Sequence, residues 1–147
     1  MSAGFPFTGA TAAMAVTTNT NPADTLPIPK EWAWNFEVNR FIYDDRGNHV
    51  IVEKNEAIKV WIYKALSTER FQHLAYSWQY GIELKPFMGK VMSVQQRYSE
   101  LKRVIIECLM VNPYIKSIDT IEISHEKDNV TVDIKLTTIY GEVNINV

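Results

Sequence analysis

The chain has few of the features on which secreted and membrane proteins depend. Its single cysteine, Cys108, cannot form an internal disulfide, so intracellular synthesis is the simplest interpretation. It has no apolar run of about 18 residues, which excludes a predicted membrane-spanning helix. No Lys or Arg precedes Lys30, and a continuous apolar stretch is missing there, so no secretory signal is predicted.

Basic clusters and cofactor motifs are also missing. The chain carries 15 Lys and Arg against 17 Asp and Glu, so no surface that neutralises nucleic-acid phosphates is expected. It has no glycine-rich phosphate loop and no dinucleotide fingerprint. His49, His73 and His125 are far apart and lack the spacing of metal ligands. No cofactor and no metal is predicted, and a hydrophobic fraction of 46% is enough for a core without either.

The first 30 residues differ in composition from the rest. They are rich in Thr, Ala, Asn, Gly and Pro, and only Asp24 and Lys30 are charged. This composition is typical of a disordered tail, or of an arm that becomes ordered against a partner. We therefore predict an N-terminal arm over residues 1–30 and a folded domain over residues 31–147. The candidate anchors of the arm are Phe5, Phe7, Met14 and Leu26.

Residues 32–53 are predicted to form a short strand pair. Trp32, Trp34 and Phe36 alternate with smaller or polar residues, which indicates a strand. Residues 44–48, with sequence DDRGN, form a turn signal that leads into a second apolar run at residues 49–52. The two aspartates also resemble a metal-binding loop, but the spacing and closing Glu of a calcium loop are missing.

Two helices are predicted in the next segment. Asn55 is a favourable N-cap for a helix that ends at about Leu66. A second short helix is predicted over residues 68–76, with Thr68 as its N-cap. Glu69 then lies in the first turn, where the helix dipole favours a negative charge.

A longer helix and a β region complete the chain. Ser93 and Gln96 form a capping box for a helix that extends to about Val111. After it, apolar residues alternate with polar ones on both sides of a turn at residues 126–129, and Gly141 interrupts the alternation as a bulge or bend. The predicted fold is α+β, with a small mixed or antiparallel sheet packed against two or three helices.

Residues 57–84 raise the question of catalysis. Glu69 and Arg70 lie among six aromatic residues, so the pair is either a structural clamp or part of an active site. A glycosidase needs two carboxylates about 5–10 Å apart, and the sequence shows no partner for Glu69. Cys108 lies on the apolar face of the long helix, where an inert thiol is expected. The aromatic residues belong either to the core or to a hydrophobic docking surface: Trp61, Tyr63, Phe71, Tyr76, Trp78 and Tyr80.

The last segment is unusual for a strand that ends a sheet. It contains only one charged side chain and no proline. Soluble proteins usually protect an edge strand with charged residues or with proline. It is therefore either an interior or covered strand, or an edge that pairs with a strand of another chain. Its residues are Gly141, Glu142, Val143, Asn144, Ile145, Asn146 and Val147.

These motifs together carry a resemblance to a known family. The chain contains WAWNF from Trp32, AIKVWI from Ala57, LSTERF from Leu66, YSWQYG from Tyr76 and IYGEV from Ile139. Over residues 31–147 it resembles the baseplate wedge proteins, or sheath initiators, of contractile phage tails. The most similar branch occurs in phages, defective prophages and phage-tail-like bacteriocins of Gram-positive bacteria.

The family signature is Glu-x-Arg or Gly-Glu-Arg, followed by an aromatic residue and Gly. It maps onto Glu69 and Arg70, next to Phe71, with Tyr80 and Gly81 as the second element. Thr68 stands where many relatives have Gly or Pro. The family has been labelled lysozyme-like, and a lone Glu beside an Arg is the only support for that label in this sequence.

The resemblance implies a structural role and no enzymatic activity. Such proteins occur as six copies in a baseplate, contact wedge, sheath and tube or hub proteins, and template the first sheath ring. They assemble in the host cytoplasm and bind neither nucleic acid nor membrane. Under this interpretation Glu69 and Arg70 hold the turn after the first helix, residues 143–147 receive sheath strands, and residues 1–30 contact the tube or hub. Two alternatives stay open: a peptidoglycan hydrolase that acts through Glu69, and a tail assembly adaptor.

Overall fold

The computed structural model describes residues 26–127 and 129–147. In these ranges, two α-helices and a one-turn 3-10 helix accompany three small antiparallel sheets, which confirms the predicted α+β fold. The predicted arm anchors Phe5, Phe7 and Met14 lie outside the described residues, whereas Leu26 is half-buried.

The N-terminal part of the domain contains two two-stranded sheets instead of one strand pair. Strand β1 (Lys30–Trp32) pairs with β4 (Ile51–Glu53), and β2 (Trp34–Asn35) pairs with β3 (Arg40–Phe41). The predicted strand position of Phe36 is wrong. The side-chain oxygen of Asn35 accepts the N–H groups of residues 37 and 38 at 3.0 and 3.2 Å, and these bonds turn the chain immediately after β2.

Helix α1 (Asn55–Ser67) packs its apolar stripe into the core, where Ile58, Ile62 and Ala65 are buried. The prediction that Asn55 caps this helix is wrong. Lys54 is the N-cap, with a positive φ of 56° and no side-chain cap bond. Asn55 is the first helical residue, and its side chain bonds to the C-terminal sheet instead.

The predicted second helix over residues 68–76 is absent. Thr68 has extended backbone angles, with φ −110° and ψ 119°, and Phe71 has a φ of 67°, so neither residue can continue a helix. Residues 70–81 instead form a loop whose two ends meet at a bridge between Glu69 and Ile82.

Helix α2 (Val94–Leu109) begins at the predicted capping box. Ser93 Oγ accepts the Gln96 N–H at 3.3 Å, and the Ser93 N–H donates to Gln96 Oε1 at 3.2 Å. The helix ends two residues before the predicted Val111. The buried Asn112 makes the turn that follows, because its side-chain oxygen accepts the Tyr114 N–H at 2.9 Å.

The C-terminal sheet has the order β5 (Ile115–Glu126), β6 (Asn129–Thr138) and β7 (Gly141–Asn146). The predicted alternation is confirmed, because Ile134 and Leu136 are buried on the face that packs against the helices. Gly141 opens β7 with a φ of +117°, so the predicted bend is the turn between β6 and β7. The core lies between this face and the inner faces of the two helices.

Candidate functional site

Thr68 ends helix α1 instead of starting a new helix. Its N–H donates to the Ala65 carbonyl at 3.4 Å, and its Oγ1 donates to the Lys64 carbonyl at 2.8 Å. These bonds satisfy two carbonyls at the end of the helix that would otherwise lack donors. Thr68 therefore turns the chain from helix into an extended conformation.

A short parallel bridge then closes the loop of residues 70–81. The Ile82 N–H donates to the Thr68 carbonyl at 2.9 Å, and the Arg70 N–H donates to the Ile82 carbonyl at 2.8 Å. Ile82 itself is 4% exposed and belongs to the core cluster. Because of these bonds, the ends of the loop are attached to the core while its middle projects from the surface.

Gly81 is the position in this closure that tolerates no side chain. Its φ is +98°, and a Cβ atom there would lie 2.6 Å from the Thr68 carbonyl oxygen and 3.2 Å from the Arg70 nitrogen. The Arg70 guanidinium donates through Nε to the Gly81 carbonyl at 3.1 Å. Arg70 and Gly81 therefore hold the two ends of the loop together.

Glu69 is a capping residue, but not of the predicted helix. Its carboxylate accepts the Leu84 N–H at 3.2 Å and the Lys85 N–H at 3.1 Å, where the 3-10 helix Lys85–Phe87 begins. Among the described residues, Glu69 and Arg70 form no ion pair with each other. The two side chains bind backbone groups on different segments instead of each other.

The aromatic residues near this site divide between core and surface. Tyr80 packs edge-to-face on Trp61, with ring centroids 5.9 Å apart, and both pack against the core. Burial raises the pKa of the Tyr80 hydroxyl to about 12. In contrast, Phe71 and Trp78 are 59% and 78% exposed, and their rings lie 5.9 Å apart on the loop. The core interpretation is therefore correct for Trp61 and Tyr80, whereas Phe71 and Trp78 lie on the surface.

The remaining candidates for chemistry are explained by structure. Cys108 is fully buried in helix α2, and burial raises the pKa of its thiol to about 11. The Asp44 carboxylate accepts the N–H groups of Arg46 and Asn48 at 2.9 and 2.8 Å. These bonds, above all the backbone bond from Asn48, lower the pKa of Asp44 and close its turn.

In residues 26–127 and 129–147, no three His, Cys, Asp or Glu side chains come together as possible metal ligands. Over the same residues, no helix has the length and apolar character needed to cross a bilayer.

Strand β7 lies at an edge of the C-terminal sheet. Immediately after β7, Val147 exchanges backbone hydrogen bonds with Val132 at 2.7 and 2.9 Å, and the register continues without shifts back to Gly141. By the alternation of an antiparallel ladder, residues 143, 145 and 147 bond to β6, whereas residues 142, 144 and 146 direct N–H and C=O outward. No other strand of the described chain pairs with these outward groups.

A buried polar contact that the sequence did not reveal fixes the turn before β7 to helix α1. Thr138 is 2% exposed, and its Oγ1 donates to Asn55 Oδ1 at 2.6 Å and accepts the Tyr140 N–H at 3.0 Å. Asn55 Nδ2 donates in turn to the Tyr140 carbonyl at 3.4 Å. The only signal in the sequence is a Thr in phase with the apolar positions of β6, so this contact could not be predicted.

The segment that leads into β1 is also held in place. The Tyr114 hydroxyl donates to the Pro27 carbonyl at 2.7 Å, and the Lys54 N–H donates to the Pro29 carbonyl at 3.1 Å. Pro27 therefore lies beside the turn between helix α2 and strand β5.

Comparison with protein families identifies one match. The model of the contractile injection system sheath initiator family matches residues 30–141. A search of curated proteins found no match. The matched region includes the closed loop with Glu69, Arg70 and Gly81, and it ends at the first residue of β7.

Proposed function

Because the chain belongs to the contractile injection system sheath initiator family, we propose that it is a structural baseplate component that templates the first ring of the sheath. In this role the chain links the tail tube to the wedge proteins and offers its sheet to strands of the sheath protein. The family is one of structural proteins. The Glu69 carboxylate accepts the N–H groups of Leu84 and Lys85, and no contact in the described chain indicates that it acts in hydrolysis.

The observation that carries the proposal is the open edge of β7. Glu142, Asn144 and Asn146 present three outward N–H and three outward C=O groups in a regular register. Such an edge binds an extended segment through main-chain hydrogen bonds. The opposite edge strand, β5, is less suitable because two irregularities interrupt its register near its start.

The domain holds this edge rigidly. Val143 is 3% exposed in the core, and Ile145 packs against the same cluster. The contact between Asn55 and Thr138 attaches the turn before β7 to helix α1. A rigid edge supports templating because an incoming strand then meets a preformed ladder and loses less conformational entropy.

The closed loop of residues 70–81 is the proposed contact to a neighbouring wedge chain. Leu74 is fully exposed and Trp78 is 78% exposed, although both are large apolar residues. Glu69 and Arg70 hold the two ends of this loop through backbone groups. Aromatic side chains on a fixed support are typical centres of protein interfaces.

The arm of residues 1–30 is the proposed contact to the tube or hub, through Phe5, Phe7, Met14 and Leu26. The low charge of this segment supports an apolar contact more than a solvated tail. The complete proposal places six copies in the baseplate of a phage or phage-tail-like particle that assembles in the host cytoplasm.

The decisive experiment blocks the edge without removing the strand. Deletion of residues 141–147 would also remove the buried Val143. A missing sheath could then result from misfolding as well as from the lost edge. Asn144→Pro removes one outward N–H, and proline is tolerated at such edge positions because the ladder to β6 does not use that donor. Asn144→Ala is the matched control, since it keeps the donor.

Particles are then examined by electron microscopy. We expect tubes without sheath for Asn144→Pro and normal sheathed tails for Asn144→Ala. Circular dichroism and urea unfolding of both purified chains establish that they fold. Normal sheaths on Asn144→Pro particles would overturn the templating proposal.

A further inference from the structure

A further candidate interface shares no residue with the open edge of β7. It is an apolar groove of about 570 Å³ between the segment that follows Leu84 and the first half of helix α2. The side chains that line the groove are those of Leu84, Phe87, Met88, Lys90, Val91, Arg97 and Leu101. None of these residues belongs to β7 or to the loop of residues 70–81.

The floor of the groove is continuous with the core, and its rim is open. Phe87 and Leu101 are partly buried against the core cluster. Met88 and Val91 are 75% exposed and fully exposed, although both side chains are apolar. Apolar side chains that remain exposed beside an apolar floor are typical of a surface that another protein covers.

The charge of the groove has one sign. Lys90 and Arg97 line it, and among the described residues neither forms an ion pair. No Asp or Glu lines the groove, and the first turn of α2 contains no acidic residue. The N-terminal end of a helix adds a partial positive charge. The surface therefore favours a partner with carboxylates next to its apolar side chains.

Both walls of the groove are preformed. The Glu69 carboxylate anchors one wall through the N–H groups of Leu84 and Lys85. The capping box of Ser93 and Gln96 fixes the start of the other wall. A preformed groove loses little conformational entropy when it binds a partner, which favours specific binding.

We propose that this groove binds an acidic amphipathic helix of a partner protein. The groove lies between a helix and a loop, so it offers no strand edge whose N–H and C=O groups could pair with an extended chain. A bound segment gains no main-chain pairing from this surface, which favours a helix because a helix satisfies its own backbone hydrogen bonds. The proposal is independent of sheath templating, because the two surfaces share no residue.

The test uses the full chain and two synthetic amphipathic peptides as probes. Both peptides carry the same leucine face, and glutamates flank that face in one peptide while glutamines replace them in the other. Binding is measured by isothermal titration calorimetry at low and high salt. The protein variants are the charge reversals Lys90→Glu and Arg97→Glu, the truncation Met88→Ser, and the control Lys102→Glu on the outer side of α2.

We expect the glutamate peptide to bind one-to-one and about tenfold more tightly than the glutamine peptide, with the difference reduced by salt. Lys90→Glu and Arg97→Glu should abolish this difference, Met88→Ser should weaken both peptides, and Lys102→Glu should change neither. Absence of binding, equal binding of the two peptides, or an equal loss in Lys102→Glu would overturn the proposal. Asn144→Pro should bind the peptides normally, which separates this test from that of the sheath.

Discussion

The carboxylate of Glu69 accepts the N–H of Leu84, fifteen residues further along the chain, at 3.2 Å. This bond joins the end of helix α1 to the segment that follows the exposed loop. Glu69 has no charged partner among residues 26–127 and 129–147, and backbone donors at the start of the 3-10 helix take that place.

The first prediction concerns this bond. Glu69→Gln keeps the size of the side chain but replaces a charge-assisted acceptor by a neutral one, so unfolding free energy should fall by about 1 kcal/mol, and by about 2 kcal/mol in Glu69→Ala. Urea unfolding measures both changes. The same proteins are incubated with purified cell walls, and we expect no hydrolysis by the wild-type chain. Hydrolysis that disappears in Glu69→Gln would establish the enzymatic alternative.

The second prediction concerns the closure of the loop. Gly81→Ala should lower the free energy of unfolding by at least about 2 kcal/mol, because a strained φ is combined with a clash against backbone. Gly89→Ala is the control. Its φ is +78°, but no atom lies within 4 Å of the added Cβ, so it should cost about 1 kcal/mol from strain alone. Equal losses in the two variants would mean that the close contact at Gly81 is unimportant.

The third prediction concerns the support of β7. Thr138→Val keeps the shape of a buried residue but leaves Asn55 without its donor, which should cost about 1–3 kcal/mol. A double-mutant cycle with Asn55→Ala should show a coupling energy of about 1 kcal/mol. The exposed Thr120→Val in β5 is the control and should be nearly neutral. Additive losses at Asn55 and Thr138 would show that their contact does not stabilise the fold.

The fourth prediction concerns alkaline pH. Burial raises the pKa of the Cys108 thiol from 9.0 to about 11, so the native state holds its proton more tightly than the unfolded state does. The corresponding stability is complete below pH 9.0 and is lost as the pH rises towards about 11. As the pH rises from neutral to about 11, the free energy of unfolding should therefore fall less for Cys108→Ala than for the wild-type chain. Identical pH profiles of the urea midpoint would contradict the assignment.

The fifth prediction separates the arm from the domain. A chain that begins at Leu26 keeps the contact of Tyr114 with Pro27 and should unfold at the same urea concentration as the full chain. A chain that begins at Lys30 loses that hydrogen bond and the one from the Lys54 N–H to the Pro29 carbonyl, and should be less stable by about 2 kcal/mol. Both should attach poorly to tubes or hubs in a reconstituted baseplate. Assembly at wild-type efficiency would show that the arm is dispensable.

Local patterns predicted several elements well. The capping box of Ser93 and Gln96 marks the start of α2, because two reciprocal bonds within four residues need no distant partner. The alternation that includes Ile134 and Leu136 indicates β6 for the same reason, since the side-chain direction of a strand is a local property. Errors occurred at Asn55 and Thr68, where side chains suited to capping bind other groups.

The sequence by itself determined the fold class, the position of the long helix and the motifs by which the family is recognised. Only the tertiary structure decided that Glu69 binds Leu84 instead of Arg70, and that β7 lies at an edge with free donors and acceptors. Periodicity and caps depend on backbone geometry over a few residues. The partner of a polar group, and the neighbour of a strand, depend instead on which distant segments packing of the core brings together.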